Sequence, residues 1–186
     1  MMEHDEDSLE RENAAGLRLI ISLLIRYPEI GSIRYLPEQR SLQLHFYISL
    51  NEAQRNGFQP AVIEKKLKEH IDAFLALNTD SYELFAIKWI ELENVLQLTL
   101  ERDVKSLSLH EVSMIVTLLT ESLGADLITE NGLITDDEDM WFQNEMLIDG
   151  LLESMRRESP RQSLVGIREE GRVMVFNQWL KKGKIK

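Results

Sequence analysis

The run Ser41-Leu42-Gln43-Leu44-His45-Phe46-Tyr47-Ile48 alternates without a break, with Leu42, Leu44, Phe46 and Ile48 on one side and Gln43, His45 and Tyr47 on the other. Successive strand side chains point to opposite faces, so one face is buried and one wet, the pattern of an antiparallel sheet. Ser32-Ile33-Arg34-Tyr35-Leu36 precedes it across Pro37-Glu38-Gln39-Arg40, and the two read as a hairpin. Upstream, Leu17, Ile20, Ile21 and Leu24 recur at helical spacing from about Ala14 to Arg26, and Pro28 stops the helix.

Downstream the same order returns. Asn56-Gly57 signals a turn and Pro60 opens a helix to Leu77, with Ile63, Leu67, Ile71 and Phe74 as its buried stripe. Phe85, Ile87 and Trp89 then alternate with Ala86 and Lys88, and after Glu93-Asn94 so do Leu96, Leu98 and Leu100 with Gln97 and Thr99. At an offset of 54, Ile33-Arg34-Tyr35-Leu36 falls on Ile87-Lys88-Trp89-Ile90 and Leu42-Gln43-Leu44 on Leu96-Gln97-Leu98 without a gap. Internal duplication of an αββ unit explains this spacing; convergence of two ordinary segments is the alternative. Tyr35 and Trp89 stay in phase with the apolar residues and are expected in the core. That opposes an RNA-reading sheet, which needs its aromatics outside with the cations.

A third helix is marked by Ser108 with Glu111 three residues on, a capping-box pattern, and by Gly124 as its stop. Asn131-Gly132 between Leu-Ile-Thr runs signals a tight hairpin. A fourth helix runs from the acids at 136–139 to Arg157, and Val165 to Arg168 and Arg172 to Phe176 flank a last turn at Glu169-Glu170-Gly171. The expected fold is α+β: antiparallel sheet with helices on one face, built of tandem αββ units, with a permuted ferredoxin-like core as one topology. The expected organisation is an acidic disordered leader at 1–13, a duplicated core with its capping helix at 14–125, hairpin, helix and C-terminal hairpin at 126–177, and a basic tail at 178–186. One continuous sheet and two subdomains divided near 124–135 both suit the pattern.

Composition narrows the chemistry. The chain has 186 residues, a net charge of −11 and no cysteine, which excludes thiol nucleophiles and thiolate metal sites and suits a cytoplasmic setting. No stretch is long and apolar enough to span a membrane. No nucleophile elbow, phosphate loop or dinucleotide fingerprint occurs, and the sequence calls for no cofactor. Asp136, Asp137 and Asp139, with Glu138, are candidate ligands for Mg²⁺ or Ca²⁺, although acids at a helix start also suit its dipole. His45 with Tyr47 is a candidate general base on a sheet face, or an ordinary polar residue there.

Charge is uneven. From Leu151 to Lys186 nine Lys or Arg stand against four Asp or Glu, a net of +5 beside −16 for the remainder. Arg156, Arg157, Arg161, Arg168, Arg172, Lys181 and Lys182 are therefore candidate contacts for nucleic acid or a protein partner. The expected function is a non-enzymatic cytosolic interaction or regulatory module that self-associates. The alternatives are a nucleic-acid-associated protein using the basic hairpin and a metal-assisted hydrolase using the acidic cluster.

Overall fold

The computed structural model describes residues 3–130 and 138–178. Their order is α1 (Glu3–Arg26), β1 (Ser32–Leu36), β2 (Ser41–Ser49), α2 (Glu52–Gly57), α3 (Pro60–Leu77), β3 (Phe85–Leu92), β4 (Val95–Asp103), α4 (Leu109–Leu123), a 3₁₀ turn Gly124–Asp126, α5 (Glu138–Arg157), β5 (Ser163–Glu169) and β6 (Arg172–Gln178). The six strands form one antiparallel sheet in the order β3-β4-β2-β1-β5-β6, with five helices packed on one face. Because Tyr35 of β1 pairs with Leu164 of β5 and Ile33 with Gly166, the C-terminal hairpin extends the same sheet.

The alternation read in β2 sorts the two faces. Leu42, Leu44, Phe46 and Ile48 are buried on the helix side, joined through the ladder by Ile33, Tyr35, Leu98 and Leu100. α1 lays Ile20 and Leu24 on them, and α3 contributes Ile63, Leu67, Ile71 and Leu75. α5 packs against α1 and buries Ile148, Leu151, Leu152 and Met155. α1 sits so close to β5 that a Cβ at Gly166 would lie 2.2 Å from Ile20 Cγ2. Glu170 (φ 48°) and Gly171 (φ 73°) form the two-residue turn between β5 and β6, in the left-handed region that such hairpins require.

Several expectations change. The helix expected from Ala14 begins at Glu3, so residues assigned to a disordered leader are its opening turns. The Asp and Glu that suggested disorder are also what a helix N-terminus favours, and no Pro or Gly interrupts them before Gly16. Asn56-Gly57 ends a short helix that Asn51 opens with a capping box, its side chain and that of Gln54 each bonded to the other's backbone N–H. The gap-free offset also fails in the pairing. Leu44 and Leu98 are 54 apart, but their partners Ile33 and Trp89 are 56 apart, because a four-residue turn joins β1 to β2 and a two-residue turn joins β3 to β4. Beyond α4, Leu127 forms a single bridge to Ile48 rather than a strand, and Ile128 N–H donates to the Tyr47 carbonyl. The expected turn at Asn131-Gly132 lies outside the described residues.

Candidate functional site

Among the described residues the other face of the sheet carries no helix, and its centre is polar. Three cross-strand rows run over it. Glu101, Gln43, Arg34 and Val165 stand opposite one another in the first; Lys88, Thr99, His45, Ser32 and Ile167 in the second; Ile90, Gln97 and Tyr47 in the third. These side chains bond among themselves. Ser41 Oγ and Gln43 Nε2 donate to the two oxygens of Glu101 at 2.6 and 3.0 Å, and Gln97 Nε2 donates to Thr99 Oγ1 at 3.0 Å.

Ser32 Oγ lies 2.7 Å from His45 Nδ1 and 3.2 Å from the Tyr47 hydroxyl. Gly31 makes this possible: the Tyr47 ring lies across it, 2.4 Å from where a Cβ would stand. Burial of the His45 ring, reinforced by the Arg34 charge, pulls its pKa down to about 4, so it is neutral at pH 7. Ser32, only 7% exposed, is too enclosed for direct attack on a substrate, so the trio is an ordered polar cluster. Sequence reasoning selected His45 and Tyr47 but missed Ser32, which sits at a strand start where no pattern marks it.

The basic candidates separate by what they touch. Arg156 clasps main chain, donating from Nη2 to the Leu107 carbonyl at 2.6 Å and from Nε to the Val104 carbonyl at 3.3 Å, and pairs with Glu153. Arg157 is exposed and also pairs with Glu153. Arg168 donates to the Tyr27 carbonyl; burial disfavours its charge, which Glu130 and Glu29 partly restore. Arg172 opens β6 at the sheet edge, opposite Glu169, and Arg161 lies in the exposed turn before β5. These five are thus distributed over a clasp, a helix end and a hairpin. Lys181, Lys182, Asp136 and Asp137 lie outside the described residues; Asp139 lies in the first turn of α5.

Among the described residues no three His, Asp or Glu side chains gather as a metal site, and no helix is long and apolar enough to cross a membrane. His70 Nδ1 bonds the Lys66 carbonyl on exposed α3, and His110 stands by a cleft of about 350 Å³ between α3 and α4 that Ser106 and Ser108 also line.

β6 is the other feature that sequence reasoning undervalued. It is an edge strand with no partner among the described residues on its outer side, reading Arg172-Val173-Met174-Val175-Phe176-Asn177-Gln178 with one charge. On the open face Phe176, 49% exposed, stands opposite Val165, and Met174 opposite Ile167. The far edge, β3, carries Lys88 and Glu91 within its length. Comparison with protein-family models, with curated proteins and with solved structures gives no match.

Proposed function

We propose that this chain is an interaction module that self-associates by pairing β6 with β6 of a second copy. The observation that carries the reading is the composition of that edge. Natural sheets guard their edges with Lys, Pro, bulges or covering segments; β6 has no Lys, Pro or bulge between Val173 and Gln178, and none of the described residues covers it. Twofold antiparallel pairing centred on Val175 sets Met174 against Phe176 of the partner subunit and opposes no like charges. The apolar strip of Val165, Ile167, Met174 and Phe176 would then continue from one copy into the next.

We read α1-β1-β2 and α3-β3-β4 as copies of one αββ unit. Supporting this are the shared element order, the 54-residue spacing of β2 and β4, and their antiparallel pairing with Leu44 opposite Leu100. The order β3-β4-β2-β1 also suits the permuted ferredoxin-like arrangement; the two-residue shift in β3 is the departure from strict repetition. On this reading the fold already joins two units by antiparallel strand pairing within one chain, the geometry proposed for β6 between chains.

Sedimentation analysis tests the function. The wild type should be a dimer at micromolar concentration. Phe176→Lys places a charge on the apolar strip. Asn177→Pro removes an edge N–H that, by the alternation set by the two-residue turn, points away from β5. Both should sediment as folded monomers. A monomeric wild type, or variants that still dimerise, would overturn the reading.

A further inference from the structure

On the open face Arg34 is a cation with no counterion among the described residues. It lies on β1 opposite Gln43 and Val165, its Nε is shielded from solvent without a hydrogen-bond acceptor, and no carboxylate of the described residues lies within ion-pair distance. The carboxylate nearest in its row, Glu101, is already held by Ser41 and Gln43. Lys88 adds a second, exposed positive charge in the row that contains His45. His45 engages Ser32 through Nδ1, which leaves Nε2 without a partner among the described residues. The centre of the face therefore presents donors and positive charge that no acceptor among the described residues receives. A buried guanidinium N–H lacking an acceptor is costly, and the planar fork of arginine matches the oxygens of a carboxylate or phosphate.

We propose that the open face binds an oxyanion, the carboxylate or phosphate group of a ligand, with Arg34 as its cationic anchor and His45 as a second donor whose protonation is linked to binding. The polar groups that face His45 are Ser32 and Arg34 from β1, Gln43 and Tyr47 from β2, Thr99 and Glu101 from β4 and Lys88 from β3; among the described residues no helix contributes. Arg34 disfavours the imidazolium. An oxyanion seated against Arg34 cancels that repulsion and accepts from His45, so binding draws a proton onto the ring and tightens as pH falls. The site needs only one copy of the chain and is independent of β6 pairing.

The test follows His45 ring resonances by NMR, assigned with His45→Gln, as pH is lowered in sodium chloride and in sodium sulfate of matched ionic strength. In the wild type, sulfate should raise the His45 midpoint by roughly one pH unit. Arg34→Gln should abolish the shift, and Arg34→Lys, which keeps the charge but loses the fork, should retain part of it. Methyl phosphate and acetate titrations then separate the two sources, since the one effective at lower concentration identifies the ligand class. An unmoved midpoint with all three anions overturns the proposal, as does an equal shift in Arg34→Gln. Should Arg34→Gln fail to fold, the wild type and Arg34→Lys decide: an equal full shift in both removes the fork from the site.

Discussion

Arg102 of β4 and Glu111 of α4 form a two-pronged ion pair with no exposure on either side, Nε to Oε1 at 2.6 Å and Nη2 to Oε2 at 3.0 Å. Arg102 continues the buried phase of Leu98 and Leu100, where an apolar residue would be expected. Its remaining donors reach Asp103, Ser106 Oγ and the Leu84 carbonyl, so every prong is satisfied. Removing one partner strands a buried charge and should cost about 3–5 kcal/mol, whereas a matched apolar pair can be neutral or better. Urea denaturation should therefore show Glu111→Leu strongly destabilised and Arg102→Met/Glu111→Leu restored towards the wild type.

Gly166 sets how closely α1 approaches the sheet. A methyl group there would overlap Ile20 and Leu24, both fully buried. Gly166→Ala should destabilise by about 1–3 kcal/mol through overpacking. Pairing it with Ile20→Ala, which removes the Cγ2 that the new methyl would strike, should give a double variant less destabilised in thermal unfolding than the two single changes added together.

His45 predicts a pH dependence with a definite sign. Its folded pKa is about 4 against an ordinary 6.5, so between these values the unfolded chain binds the extra proton and stability falls as pH falls. A shift of that size corresponds to about 3 kcal/mol, which solvent screening on the open face reduces to about 1–2 kcal/mol. Asp103 acts in the same direction at lower pH. Burial pushes its pKa up, but hydrogen bonds from Ser106 and the Leu84 N–H and the Arg102 charge bring it below the ordinary value, so its contribution is lost only under stronger acid. Denaturation across pH 4 to 6.5 should show the slope in the wild type and a flatter one in His45→Gln.

The elements that could be read in advance were those whose pattern is local. Alternation in β2, the helical stripe of α3 and the cap at Ser108 all follow from spacing within one segment. The Ser108 cap illustrates the limit. Its Oγ accepts from the Glu111 N–H as the motif implies, yet the Glu111 carboxylate turns to Arg102 instead of completing the box. That choice depends on a strand nine residues earlier being its neighbour, which is tertiary information. The open-face cluster was half visible for the same reason: alternation assigned His45 and Tyr47 to one face, but only the register brings Ser32 opposite His45 and sets Arg34 between Gln43 and Val165 rather than beside a carboxylate.

Arg156 and Arg157 look identical in the sequence and differ in the fold. Arg156 is anchored to the carbonyls of Val104 and Leu107, in the turn between β4 and α4, and its own carbonyl accepts from Arg40 Nη2, which ties the turn between β1 and β2 to the end of α5. Arg157 is exposed, with a single 3.5 Å pairing to Glu153. Loss of a charged donor that serves part-buried carbonyls costs about 1–3 kcal/mol, whereas an exposed pair on a helix is worth about 0.3–0.5 kcal/mol. Chemical denaturation should accordingly find Arg156→Gln clearly destabilised and Arg157→Gln close to the wild type. Added salt should weaken neither the Arg156 contacts nor the fold appreciably, because short hydrogen bonds to partly buried carbonyls are little screened. Equal effects from the two substitutions would mean that Arg156 acts only as surface charge, and the clasp between the two turns and α5 would have to be held by Arg40 and its 2.9 Å bond to Ser159 instead.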